Sequence, residues 1–398
     1  MEISNERLER IQKSIRDHGM DAIFCRLSEH VLYFTGYWPH NHVGAALVPA
    51  QGNPVLVLSE LEAKWELAQF LPSSQVQVAT FPLESAKILR GPNNGFAECL
   101  PPIFRRLGLE DKVIGVEKSF EGCNVSIFQG EVKYPAQPTW EMLEAIFPKA
   151  QFRDATLLIL GLRSVKGEEE IEAIRLAIEV AGYGFAAAKA GLKPGMKEVD
   201  LAAIIESAIH TQGTGHRGIT QARGYACVYT GERSATQWTH YAYSSDRPIQ
   251  AGDVVIVELG CFADGYWADL TRNFYVGKPS AKVIEVYEVA MGAQQAAIDI
   301  AKAGVMIPEL DKAARDFMAE RGYAQFWPHG LGHGVGMAYH EGPPLHMANP
   351  QPLLAGMVLT IEPGIYIEGL GGLRPEDMIV VREHSSEVLS NGIPHDLI

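Results

Sequence analysis

The chain has 398 residues, 34 of them basic and 48 acidic, for a formal net charge of −14; at about 150 residues per domain, two or three domains are expected. Hydrophobic residues at 47 % and charged residues at 21 % describe a globular chain with a sizeable core, and so acidic a chain with no basic stretch excludes a nucleic-acid partner. Membrane spans are excluded as well, because no uncharged apolar run approaches the roughly 20 residues that cross a bilayer.

The charged start, Met1 to Arg7, lacks the apolar core of a signal peptide. Cys25, Cys99, Cys123, Cys227 and Cys261 are scattered and form no C-x-x-C pair. A disulfide framework and a thiolate zinc site are therefore not expected, and a reducing cytoplasm is.

In chain order, Glu6–Gly19 reads as an amphipathic helix with Leu8, Ile11, Ile15 and Met20 at helical spacing and Gly19 as its stop. Asp21–Cys25, Gly44–Pro49 and Pro54–Leu58 read as short apolar strands, Glu60–Gln69 as a helix, Val113–Val116 as a strand and Thr139–Phe147 as a helix. This alternation predicts a small α/β domain over residues 1–155 and a second domain over 156–398. Near the start of the second, Arg163-Ser-Val-Lys-Gly-Glu-Glu-Glu leads through an acidic first turn into a long helix with Ile171, Ile174, Ile178 and Ala181 on one face.

The second domain contains an echo. Residues 188–203, A-K-A-G-L-K-P-G-M-K-E-V-D-L-A-A, recur as A-K-A-G-V-M-I-P-E-L-D-K-A-A at 301–314 if a short gap is allowed. A duplicated half-domain would produce this and would put a site between two similar halves; chance in an alanine-rich chain is the competing reading. Strand-rich stretches follow at Val254–Gly260, Trp267–Tyr275, Val358–Ile367 and Leu373–Val381.

Polar residues interrupt those stretches. Glu258 stands in Val-Val-Ile-Val-Glu-Leu-Gly, where burial as an anion is costly without a compensating charge. Asp269 follows a hairpin signal at Asp264-Gly265, so the two carboxylates can share a face, where they repel unless one protonates or both share a cation. His329, His333 and His340 lie among Gly330, Gly332, Gly334 and Gly336, a glycine density that argues for an extended segment rather than a helix. Glu362, Glu376 and Asp377 interrupt the last two runs, with Arg374 close by. Glu258, Asp269, His333, Glu362 and Glu376 make four carboxylates and one imidazole, a set that two divalent cations would neutralise. Mn²⁺, Fe²⁺ or Co²⁺ suits such donors and Zn²⁺ is admissible. Each acid alone could simply face water.

With these segments in view, the chain resembles the metallopeptidase family of Xaa-Pro dipeptidases (prolidases) and aminopeptidases P, which has the creatinase-like "pita-bread" fold. Ser28-Glu-His-Val-Leu-Tyr-Phe-Thr-Gly36-Tyr is similar to the family's S-x-N-x-x-Y-L-T-G-F run, and Arg163-Ser-Val-Lys to its inter-domain entry. Residues 252–274, 329–342, 356–366 and 371–381 resemble its metal-site blocks in order and spacing. Methionine aminopeptidases share the catalytic fold but lack the first domain.

The resemblance implies an α/β N-terminal domain followed by an α+β pita-bread (creatinase/aminopeptidase-like) catalytic domain with a pseudo-two-fold internal repeat. It implies dinuclear metal-dependent hydrolysis of the Xaa-Pro bond in dipeptides or short peptides by a homodimer. Manganese is the expected metal, with cobalt, iron or zinc as alternatives. Asp269 and Glu376 would bridge the ions, His333 and Glu362 would bind one, and Glu258 the other. A shared hydroxide would attack the carbonyl before proline, with Glu362 as proton shuttle and His340 steadying the oxyanion. His329 and His240 would line the substrate site, and Arg374 would orient it or meet a substrate carboxylate. His210 and His216 match no motif and read as ordinary packing or surface residues.

Three departures bear on substrate rather than fold. The family's first ligand is Asp, whereas Glu258 is longer by one methylene, about 1.5 Å. Thr239 replaces the Pro before the first site histidine, and the loop from His240 to Glu258 is slightly longer than is typical. A creatinase-like or ectoine-hydrolase-like small-molecule C–N hydrolase or lyase is the alternative function on the same fold, and a non-catalytic binding protein is a third.

Overall fold

A computed structural model describes residues 2–39, 44–65, 67, 72–82, 93–118, 137–239 and 243–395. The chain forms two compact units, residues 1–163 and 164–398. The division expected after residue 155 and this one differ by a single helix, Thr156–Ser164.

The first unit is built on a six-stranded sheet of β1 (Ala22–Cys25), β2 (Ala45–Pro49), β3 (Val55–Ser59), β4 (Gln77–Phe81), β5 (Val113–Val116) and β6 (Gln151–Asp154), in the order β4-β3-β2-β1-β5-β6. Three of its four inner strands, β1, β2 and β3, are buried at every residue, as continuous apolar runs covered on both faces should be. The first helix is Asn5–Asp17; the Ser4 hydroxyl accepts from the backbone N–H of Arg7 at 3.2 Å, and Leu8, Ile11 and Ile15 pack inward. Of the expected Glu60–Gln69 helix, Glu60–Trp65 is present, while residues 66, 68 and 69 lie outside the described residues.

The second unit opens with the helix Glu168–Gly191, whose N-terminus is closed by the Glu170 carboxylate accepting from the Gly167 N–H at 3.1 Å. Helix Glu198–Ala208 follows, then an antiparallel sheet of β7 (Ala222–Thr230), β8 (Val254–Ala263) and β9 (Tyr266–Tyr275). The β8–β9 turn has left-handed backbone at Asp264 (φ 44°) and Gly265 (φ 97°), the conformation a two-residue hairpin demands. The pattern then repeats: helices Ala281–Ile300 and Ile307–Glu320, then a sheet of β10 (Gly332–Gly334), β11 (Glu341–Leu345), β12 (Val358–Ile361), β15 (Asp377–Val381) and β16 (Ser386–Val388), with the hairpin β13 (Ile365–Ile367) and β14 (Gly371–Leu373) beside it.

The echo is thus structural, but its register is not that of the A-K-A-G match. Leu192 and Ala301 cap the first helix of each half, Lys197 and Met306 precede the second, and Gly195 and Gly304 occupy equivalent turns with φ 89° and 87°. The Gly195 N–H donates to Ile249 O at 2.8 Å and the Gly304 N–H to Leu353 O at 2.9 Å. Turn geometry aligns the halves without a gap, whereas the repeated tetrapeptide falls inside one helix and outside the other.

Two long runs expected as single strands are each broken in two. Ile361 pairs with Asp377 and Ile365 with Leu373, so Glu362-Pro363-Gly364 lies opposite Arg374-Pro375-Glu376. Pro363 and Pro375 have no N–H to give a ladder, and the pairing lapses there. The lapse frees both segments from the alternation of the sheet.

Candidate metal centre

The centre is assembled on one face of β8 and β9. Gly260 is registered with Asp269 and Glu258 with Thr271, so Glu258, Asp269 and Thr271 point the same way. A side chain on Gly260 would meet the ring of Tyr339 at 2.8 Å, so the bare backbone there admits that ring. The opposing lapses in β12–β15 supply Glu362, Arg374 and Glu376. Asp269 and Glu376 are buried to 1 % exposure.

His333 arrives on the glycine-rich segment, extended as expected. Its neighbours must be glycine because the backbone packs tightly: a Cβ on Gly332 would lie 2.2 Å from Thr360 O, and one on Gly334 2.2 Å from Gly342 O. Nδ1 of His333 lies 2.9 Å from Gly334 O, which fixes the proton on that nitrogen and leaves Nε2 to the acids. Nε2 stands 3.3 Å from Asp269 Oδ2 and 3.5 Å from Glu362 Oε1. His340 Nε2 is 3.8 Å from the same Asp269 oxygen, and its ring meets that of His333 edge-on at 4.3 Å. Two groups of ligand-type atoms therefore converge, Asp269–His333–His340 and His333–Glu362–Glu376, each within 4.8 Å.

The electrostatics show an excess of negative charge. Burial pushes Asp269 up to about 6 against the hydrogen bond from His333, with Glu258 and Glu362 adding to the rise. Burial and the neighbouring Asp269 and Glu362 drive Glu376 well above the ordinary carboxylate value. Burial disfavours a charged His333, yet Asp269 and Glu362 outweigh it and raise the imidazole to about 9. Burial and His333 together lower His340 to about 3. Burial also lowers His329.

Glu258 stands apart from both groups. Its Oε2 is 3.0 Å from Arg374 Nη2 and accepts from Gln237 Nε2 at 2.5 Å, while Oε1 accepts from the Tyr339 hydroxyl at 3.1 Å. Burial works against its ionisation, but Arg374 prevails and holds it below the usual carboxylate range. Arg374 also donates to Thr271 Oγ1 at 2.6 Å, and the Thr271 hydroxyl in turn donates a hydrogen bond to Glu376 Oε2 at 2.6 Å. His329 is not in the cluster; its Nε2 lies 2.9 Å from the Tyr366 hydroxyl. His240 falls outside the described residues. His216 lies against Glu179 at 2.8 Å and His210 against Arg223 at 2.5 Å, both away from the centre.

Sequence reasoning missed Gln237, Thr271, Tyr339 and Tyr366. Thr271 and Tyr339 had a signal, since each is a polar residue next to a singled-out block, two residues after Asp269 and one before His340. Gln237 had none.

A divalent cation fits this donor set. Asp269 Oδ1 is buried and has no hydrogen-bond partner among the described residues, a condition that costs at least about 1–3 kcal/mol unless something positive meets it. Buried carboxylates with imidazole are the donors that Mn²⁺, Fe²⁺, Co²⁺ and Zn²⁺ accept.

A carboxylate-and-imidazole centre carried by two similar helix–strand halves, after an α/β N-terminal unit, defines a metallopeptidase of the pita-bread class. The chain belongs to metallopeptidase family M24, whose model matches residues 172–383, while the creatinase/prolidase N-terminal domain matches residues 7–165. It is 30 % identical to the Xaa-Pro dipeptidase of Pyrococcus horikoshii over 98 % of each chain. Similar solved structures include the prolidase of Pyrococcus horikoshii (30 % identity, TM-score 0.77, covering 99 % of this chain and 100 % of that one). The X-Pro aminopeptidase of Thermotoga maritima is also similar, at 28 % identity and TM-score 0.77, over 97 % of this chain and 99 % of that one. Both domains and their order agree with the fold expected from the sequence.

Proposed function

We propose that the protein hydrolyses the Xaa-Pro peptide bond of dipeptides or short peptides at a metal centre held by Asp269, His333, Glu362 and Glu376. The observation that carries this reading is the Oδ1 of Asp269, without a hydrogen-bond partner among the described residues, inside a buried acid–imidazole cluster. Relatives named Xaa-Pro dipeptidase and prolidase, matched over nearly the whole chain, support the substrate. Manganese is the proposed metal, with cobalt, iron and zinc compatible with the donors.

A divalent ion, when bound, supplies Lewis acidity toward the carbonyl before proline and toward the attacking water. Glu362 takes the proton of that water and returns it to the proline nitrogen as the C–N bond breaks, so the carboxylate ends as it began. Its place in the lapse between β12 and β13 leaves it 12 % exposed, open to substrate where Asp269 and Glu376 are not. His340 presents an imidazole N–H to the developing oxyanion. Arg374, 3.5 Å from Glu362 and 3.6 Å from Glu376, holds both acids in place. His329 and His240 are assigned to the substrate wall.

The family resemblance would put a second ion on Glu258, whose Oε2 lies 3.0 Å from Arg374 Nη2. We also infer a cytoplasmic enzyme, which the buried free thiols of Cys25, Cys227 and Cys261 support, and a homodimer, which rests on the family resemblance. Among the described residues no helix is long and apolar enough to cross a membrane.

A substrate panel tests the reading. Manganese-loaded protein should release proline from Gly-Pro and Leu-Pro and leave Leu-Ala and creatine untouched. Turnover of creatine with both proline dipeptides intact would move the function to the small-molecule C–N hydrolases.

A further inference from the structure

We infer that this centre binds one divalent cation per chain, because Arg374 already fills the electrostatic role that a second cation would have at Glu258. The inference rests on the metal-dependent reading above and narrows it.

The acceptor accounting at Glu258 comes first. An ionised carboxylate offers about four lone-pair sites, and three are taken by Arg374, Gln237 and Tyr339. None of these donors is loosely held. Gln237 is fully buried, and its Oε1 accepts from the Tyr366 hydroxyl and from Arg374 Nη1, both at 3.2 Å, so its amide N–H must face Glu258. Arg374 is 4 % exposed and tied to Thr271. A dication at Glu258 would sit beside a buried guanidinium, in repulsion that water does not screen, and would strip buried donors of their acceptor. The longer side chain matters here: the added methylene carries the carboxylate about 1.5 Å further than an aspartate would reach.

The second argument concerns His333. Both ligand-type groups contain it, yet Nδ1 is spent on Gly334 O and only Nε2 is free. One nitrogen lone pair binds one ion. The two groups are therefore alternative descriptions of a single centre. Without His333, the Asp269 side retains only His340 as a further donor from the two groups, fewer than a protein site needs to hold a second ion.

The test counts metal without reference to turnover. Full-length protein is stripped with chelator, loaded with Mn²⁺ and dialysed; bound metal is measured per chain, and an electron paramagnetic resonance spectrum is recorded. One Mn²⁺ per chain with the spectrum of an isolated ion is expected, and Glu258→Gln should keep that stoichiometry. Two per chain with an exchange-coupled spectrum would overturn the inference while leaving metal-dependent hydrolysis standing. Loss of the single ion in a folded Glu258→Gln protein would overturn it too, by making Glu258 a ligand. No bound metal in the wild type would remove the metal-dependent reading itself. If Glu258→Gln fails to fold, the wild-type spectrum alone decides.

Discussion

Asp269 and Glu362 occupy the same cluster but differ in what surrounds them. One oxygen of Asp269 faces two imidazoles and the other has no hydrogen-bond partner among the described residues, so Asp269→Asn removes charge where the ion needs it most. Mn²⁺ affinity should fall by more than the 10–100-fold typical of losing an outer-shell partner (roughly that scale), measured by equilibrium dialysis. Unchanged affinity would show that Asp269 is no ligand. Glu362, more exposed and hydrogen-bonded by Thr360 at 3.1 Å, is the residue placed to move a proton. Glu362→Gln should lower kcat by about 10²–10⁴-fold without altering the fold. Full turnover in that variant would take the shuttle role away from it.

At the level of elements, the centre depends on two backbone devices. One is the close approach of β10 to its neighbours at Gly332 and Gly334. Gly334→Ala forces the backbone of β10 and residue 342 apart, and a cost of about 1–3 kcal/mol is expected from overpacking, read as a lower melting temperature together with weaker Mn²⁺ binding. Weaker metal binding is what separates a displaced His333 from plain destabilisation. The other device is the buried brace behind Glu376. Arg272 donates to Glu376 O at 2.6 Å and to Asp377 Oδ1 at 2.9 Å, and His395 meets Asp377 Oδ2 at 2.6 Å. Arg272→Met leaves a buried anion short of its partner and should cost about 3–5 kcal/mol in urea unfolding; a loss under 1 kcal/mol would make the brace incidental.

These elements also show what a sequence can and cannot reveal. The Ser4-capped helix, the inner strands of the first sheet and the Asp264-Gly265 hairpin follow from local pattern. Strands β4 and β6 were missed because they are short and mostly exposed, with no buried apolar run to mark them, and Asn93–Leu107 because Pro101 and Pro102 lie inside it. The apolar runs around Glu362 and Glu376 looked continuous, though Pro363 and Pro375 were visible warnings that the ladders lapse there. The acids and His333 were legible as polar intrusions into strands. The pairing of Glu258 with Arg374 was not, because it is a tertiary contact across more than a hundred residues.

For the whole molecule, a ligand that binds only the folded state must stabilise it. At a hundredfold excess over its dissociation constant an ion adds about 2.7 kcal/mol, which in a unit the size of residues 164–398 raises the melting temperature by about 5–10 °C. That shift should appear in the catalytic unit and vanish with chelator. The central claim, that a buried acid–imidazole cluster works only with a cation inside it, is tested most directly by proline release from Leu-Pro as Mn²⁺ is returned to chelator-stripped protein. Release should be absent at the start and rise to saturation as metal binds. Full release in excess chelator, from protein shown to be metal-free, would contradict it.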